Sequence, residues 1–323
     1  MPRLLKLATL LAKVEDPEAE GEDSLPLAAN GLYAMVAPPA PAADFQRVAP
    51  YTGGGSLLPG SMGARRWEKH VEVPLRGAGA AYSLSVIPKA DALLRMGGFA
   101  ADLDDTENAE SWTYAPISSG FESFSVYLYL DGVLTKLLGC RALPSFVFPL
   151  GGPARVVGEL RSLWTDPADA ATVVPTGEPT TQYPVMLSSL LQLTPSGGDP
   201  YAPKHGEIKL DLGRQITPRK DASAATGYAG MVMLAGRAPV LTLEAEATLE
   251  DDFAWWDALA AGTQIACSFQ VGATKYNQLK VNIPVMQFEK LEQFDAEGIL
   301  MYRASCLLVS PTGVDDDLTI VFD

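Results

Sequence analysis

The chain carries two histidines, His70 and His205, and three cysteines, Cys140, Cys267 and Cys306. Nucleophilic catalysis needs a base beside a Ser or Cys and a third group to orient it, whereas zinc needs Cys or His ligands at short spacings. Neither pattern is present: no Cys-x-x-Cys pair occurs, and no cysteine or paired carboxylate stands at ligand spacing from either histidine. Widely spaced, odd-numbered thiols fit reduced cysteines rather than a disulfide framework. Asp102, Asp104, Asp105, Glu107 and Glu110 resemble a calcium loop, but the frame puts Glu107 where the turn needs Gly and Thr113 where it needs Glu. Gly77-Ala78-Gly79 lacks the third glycine and the strand-to-helix setting of a dinucleotide loop. Tyr127, Tyr129, Trp255 and Trp256 could stack bases or sugars, yet no Lys or Arg interleaves them, so packing is the expectation. The sequence predicts a protein that is not an enzyme and has no catalytic, cofactor or metal site.

A chain of 323 residues, 47% hydrophobic and 20% charged, is globular in composition, and its length predicts two domains with two cores. The formal net charge of −15 argues against a nucleic-acid-binding surface, because phosphate affinity comes from Lys and Arg displacing counterions. Met1–Val14 has a basic flank and a short apolar run, but the acidic stretch Glu15–Asp23 stands where a signal peptide needs small residues. No apolar stretch is long enough to span a membrane, and a soluble protein is expected.

The elements that would position any site are mainly strands. Leu4–Lys13 has apolar residues at helical spacing and predicts a short helix or arm, followed by a solvated acidic segment to Asp23. Pro38–Pro41 and Gly53–Gly63 read as loops. Lys69–Leu75 alternates as a half-buried strand, and Pro88–Met96 reads as a helix stopped by Gly97-Gly98. Phe124–Leu130 and Val133–Leu138 flank Asp131-Gly132, a strong hairpin signal. In the second half, Val240–Thr248 alternates, Glu250–Asp252 opens a helix ending at Gly262, and strands near Gln264–Gln270, Tyr276–Ile283, Met286–Gln293 and Ile299–Val309 follow. Laid over Ala266–Cys306, the segment Phe124–Trp164 matches hairpin to hairpin and Phe146 to Phe288 without a gap. Such internal repetition predicts copies of one supersecondary unit: an N-terminal arm over 1–30, a first domain over 31–165, a linker over 166–182 and a second domain over 183–323. Each domain is a β-sandwich or partial barrel with one short helix.

Arg47–Gly77 with Asp91–Phe99, Tyr114–Gly132, Leu210–Gly230 and Ala254–Gly262 resemble the major tail tube proteins of long-tailed bacteriophages and their proviral relatives. The resemblance lies in pattern and order over most of the chain. It implies a structural virion protein, assembled in the host bacterial cytoplasm and located in the virion tail. Its rings would stack into a tube, with tape measure, tail tip and terminator proteins as partners and no membrane. A tandem chain would build a pseudo-hexameric ring as a homotrimer. DNA would pass through the channel without specific binding, and an acidic lining would let it slide. Glu72, Glu244 and Glu246, on the polar faces of apolar-backed strands, are the candidate lumen-lining residues; the alternative is that those faces point outward to solvent. A competing reading is a tail-tip receptor- or carbohydrate-binding β-sandwich module. A hydrolase is disfavoured by the missing nucleophile, base and acid.

Overall fold

The computed structural model describes residues 8–36, 40–46, 61–178, 181–187 and 191–323, and the chain is mainly β with two short helices among them. The first half contains β1 (Ala8–Val14), β2 (Met35–Val36), β3 (Ala40–Gln46), β4 (Ser61–Pro74), α1 (Asp91–Met96), β5 (Phe99–Asp104), β6 (Ser111–Pro116), β7 (Phe124–Leu130), β8 (Val133–Phe148), β9 (Arg155–Leu163) and β10 (Ala168–Asp169). The second contains β11 (Gln192–Pro195), β12 (His205–Asp211), β13 (Ile216–Lys220), β14 (Tyr228–Met233), β15 (Val240–Glu246), α2 (Trp255–Ala261), β16 (Ile265–Val271), β17 (Leu279–Ala296), β18 (Ile299–Leu308) and β19 (Thr319–Phe322).

The two halves follow one path. In the first, β7, β8 and β9 form a meander, β9 returns to pair with β4, and β1 pairs with β7. The loop closes where Leu11 bridges Gly31 and β2 pairs with β4. In the second, β16, β17 and β18 form the meander, β18 pairs with β15, and β11 pairs with β16. There closure comes from Leu193 bridging Tyr201 and from β12 on β15. Even the trailing strands agree, since β10 pairs with the start of β8 and β19 with the start of β17. Closure leaves few free sheet edges, which would otherwise invite aggregation.

Local chemistry accounts for these turns and helices. Asp131-Gly132 between β7 and β8 and Glu297-Gly298 between β17 and β18 all have positive φ (44° and 83°, 55° and 90°), as two-residue hairpins require. In α1 the first-turn Asp91 accepts from Tyr114 Oη at 2.9 Å and faces Arg95 one turn on at 3.7 Å. The second helix begins at Trp255, later than the sequence predicts: Leu249–Asp252 forms a turn, with Asp252 N–H donating to Leu249 O.

Several sequence expectations are corrected. Residues 8–14 form a strand rather than a helix or arm, because Leu10, Leu11 and Ala12 are all buried in the first barrel; residues 4–7 lie outside the described residues. Glu15 is buried, not solvated: its carboxylate accepts from Ser123 Oγ, Ser125 Oγ and the amides of Gly21 and Gly139 at 2.7–2.9 Å. Residues 61–63 belong to β4, while 53–60 lie outside the described residues. The expected linker over 166–182 begins with β10 against Val133 and Leu134. Instead of one core per half, the largest hydrophobic cluster runs through both halves, bridged by Phe148 packed edge-on against Phe269 at 4.9 Å, with smaller clusters around Leu11 and Ile216.

Candidate functional site

The seam between the halves is the most informative surface. On one edge, β12 pairs with β15 of its own unit; on the other, it pairs with Ser145–Phe148 of β8. The result is one antiparallel sheet in the order β4, β9, β8, β12, β15, β18, β17. A single row of neighbours crosses it: Val73, Val156, Phe146, Leu210, Leu241, Cys306 and Phe288. All of these side chains are buried. The next row, Glu72, Val157, Ser145, Asp211, Val240, Leu307 and Gln287, lies on the opposite face and none of it is buried. Period-two alternation therefore runs in phase across both halves, giving one apolar face toward the core and one wet face.

Glu72, Glu244 and Glu246 all lie on this wet face, Glu72 on β4 and the other two on β15. They are not clustered. Glu244 pairs with Arg303 at 2.7 Å and Glu246 with Lys204 at 3.3 Å, whereas Glu72 has no ion pair among the described residues. Glu159 with Arg161, Glu207 with Lys209 and Glu292 with Lys290 continue the pattern. The face is thus a weave of acids and bases, and its acidic character is weaker than the bulk charge suggests. Exposed pairs of this kind contribute little stability; their effect is to present a polar, wettable surface.

The two halves are clasped at the ends of the seam. Arg237 donates to Asp317 and Asp315 at 2.5–2.9 Å and to Ser118 Oγ at 3.0 Å, tying the loop after β6 to the approach to β19. That strand also pairs with β6. Gly77 passes so close to the second half that a Cβ would stand 2.0 Å from Tyr276 O. At Gly79, whose φ is 71°, a Cβ would stand 2.2 Å from the Thr181 methyl. On the wet face, the β13–β14 hairpin lies over the first half, with Arg141 Nε donating to Met231 O at 2.6 Å and Arg161 Nη1 to Ile216 O at 3.0 Å.

Beside this hairpin is a cavity of about 280 Å³ lined by His70, Ser145, Glu159, Asp211 and Arg214. Arg214 is buried, which lowers its pKa to about 10, and Nη2 donates to the carbonyls of Gly98 and Ile117. Ser145 Oγ in this lining donates to Leu210 O at 3.5 Å. His205 lies on β12 with Nδ1 3.4 Å from Pro203 O, and burial lowers its pKa. No group of three or more metal-ligating side chains occurs among the described residues. The three thiols are buried and unpaired; burial pushes Cys267 up to about 12. Tyr127, Tyr129 and Trp255 are packed inside, and Trp256, 42% exposed, donates to Tyr302 Oη. Among the described residues no helix is long and apolar enough to cross a membrane.

Sequence reasoning missed the residues that make the seam: β12's outer edge, Ser145–Phe148 and Arg237. The only signal was the apolar alternation of Ile208 and Leu210 against that of Phe146 and Phe148, which specifies faces but not partners. No protein-family model matches this sequence, and no curated protein matches it.

Proposed function

We propose that the protein is a structural, self-assembling virion protein whose rings stack into a phage tail tube, with the wet face of the continuous sheet lining a channel for DNA. One observation carries this reading: two units of the same strand order are joined edge to edge, in phase, through a contact that uses different edges of each. A joint of that kind is heterologous, and repeated between chains it closes into a ring or runs on as a helix. The unburied row from Glu72 to Gln287 crosses the joint, as a channel wall built from several units requires, while the β13–β14 hairpin covers the neighbouring part of the same face on the first half. Its mixed ion pairs under a net charge of −15 leave no basic stripe to hold the phosphate backbone. Three chains would supply six units to a ring, and tape measure, tail tip and terminator proteins are the partners of such a tube.

Negative-stain electron microscopy of the purified protein at high concentration, with and without the tail-initiating complex, tests this. Trimeric rings with pseudo-sixfold symmetry, stacked into open-ended tubes, are expected. Rings of six chains would remove the trimer and keep the tube, whereas monomers alone under all these conditions would remove both.

A further inference from the structure

The internal joint specifies a second one. The shared strand order makes β4 and β15 equivalent, as it does β9 with β18 and β8 with β17. The buried row fixes the register: Val73 corresponds to Leu241, Val156 to Cys306 and Phe146 to Phe288. One step along, Glu72 corresponds to Val240. Because Glu72 pairs with Met35 and Val240 with Asp211, the stretch Leu32–Met35 corresponds to Ile208–Asp211 of β12. Across the bulge between Phe288 and Lys290, Val147 corresponds to Lys290 and Phe148 to Leu291.

In the first unit the edge of β8 at Ser145–Phe148 is covered by β12. Its counterpart in the second unit, Gln287–Leu291 of β17, pairs with β18 on one side, and no described strand pairs with its other side. We infer that this open edge of β17 receives the segment Leu32–Met35 of a second copy of the chain, antiparallel, with Met35 beside Gln287, Ala34 beside Phe288, Tyr33 beside Lys290 and Leu32 beside Leu291. The inference rests on the assembly reading above, and it names the surfaces that reading leaves open.

The chemistry of the two edges matches that of the internal joint. There, buried Ile208 and Leu210 meet buried Phe148 and Phe146, while Lys209 and Asp211 stay on the wet face. In the second joint Leu32 meets Leu291 and Ala34 meets Phe288, all apolar and, except for half-buried Ala34, buried; Tyr33 would stand beside the exposed Lys290. The segment is only partly extended in the single chain, because Ala34 N–H turns back to Leu32 O at 2.9 Å. Docking would exchange that local contact for a ladder bond. The contact joins unlike edges, so each chain keeps one of each kind free until a ring closes. One feature does not recur: nothing in the second unit corresponds to the β5–β6 hairpin, so the joint between chains lacks the pairing of β6 with β19 and is the weaker of the two.

Directly opposed residues of an antiparallel pair have Cβ atoms about 4.5–5.5 Å apart, within reach of a disulfide or a short thiol linker. One preparation carries Tyr33→Cys and another Lys290→Cys; a second pair carries Met35→Cys and Gln287→Cys, in case loss of the Tyr33 bond to Thr176 O weakens the fold. The native thiols are buried and do not compete. After oxidation under assembly conditions, non-reducing electrophoresis should shift from monomer to dimer in the mixture of each pair but not in either variant alone. The double variant Tyr33→Cys with Lys290→Cys should give a ladder ending at the ring number. A dimer from one variant alone, or stacked rings with no dimer from either pair, overturns this interface and leaves the tube reading standing. Cross-linked rings that never stack keep the interface and remove the tube, and preparations that neither assemble nor cross-link remove both.

Discussion

The first and second barrels share one chain path, and what separates them lies in their insertions. Between α1 and β7 the first barrel inserts the β5–β6 hairpin, which reaches across to β19; between α2 and β16 the second inserts nothing comparable. Between β2 and β4 the first barrel extends β3 and the start of β4, while the second places the separate β13–β14 hairpin in the same slot, folded back over its neighbour. The repeated path supplies the sheet and its edges. The insertions make the joint within the chain permanent and leave the outer edges available.

The largest effect that can challenge this comparison is loss of one equivalent ring. Phe146→Ala and Phe288→Ala each remove a buried aromatic from the same row, at a loss of about 3–5 kcal/mol. Because one cluster runs through both barrels, each variant should unfold in a single denaturant transition with a lowered midpoint, followed by circular dichroism and tryptophan fluorescence together. Two transitions would show that the barrels are independent and that the seam does not couple them.

How far the sequence reveals this arrangement depends on whether the signal is local. The β7–β8 hairpin, α1, β15 and the closing strands are legible because Asp131-Gly132, Pro88 and strict alternation act over a few residues. β1 misleads because Leu10, Leu11 and Ala12 are buried on both faces and show no period of two. Glu15 misleads because its donors, Ser123, Ser125 and Gly139, arrive from distant sequence. The pairing of β12 with β8 has no local signature at all. The three glutamates are legible as wet-face residues, since alternation fixes a face; Arg303 and Lys204, which neutralise two of them, are not.

A smaller effect separates the barrels at their first strands. After β1 the chain is latched by Asp23, which accepts from Lys136 Nζ at 2.6 Å and from Tyr127 Oη; after β11 the corresponding stretch carries only the looser pair of the exposed Lys204 with Glu246 at 3.3 Å among the described residues. Burial raises the Asp23 pKa, but the bonds from Lys136, Tyr127 and the Leu25 amide outweigh it, so the carboxyl titrates below its ordinary value of 3.8. A depressed carboxylate stabilises the fold above its unfolded pKa, and that contribution is lost as pH falls through the folded one. Asp23→Asn should therefore lose up to about 1 kcal/mol at pH 6, allowing for screening of a partly exposed pair. The gap from the parent protein should close as pH falls below about 4. A gap unchanged between pH 6 and pH 3 would show that the latch does not act through charge.

The smallest effect on the fold, and the most specific for function, concerns the wet face both barrels share. Changing Glu72, Glu244 and Glu246 to Lys leaves the buried row untouched and removes two exposed ion pairs, worth about 0–1 kcal/mol each. If the parent protein forms rings and tubes, the variant should form them too. In each chain, however, three groups that repel phosphate become three that attract it, and in the proposed tube the change would repeat in every stacked ring. If that face lines the channel, DNA should be held through counterion release. Tails of normal appearance should then eject their genome slowly in low salt and faster as salt screens the attraction. Of the three, Glu72 should matter most alone, because Glu244 and Glu246 are already offset by Arg303 and Lys204. Normal ejection by the triple variant in low salt would turn the wet face outward, and the acidic balance of the chain would then serve solubility alone.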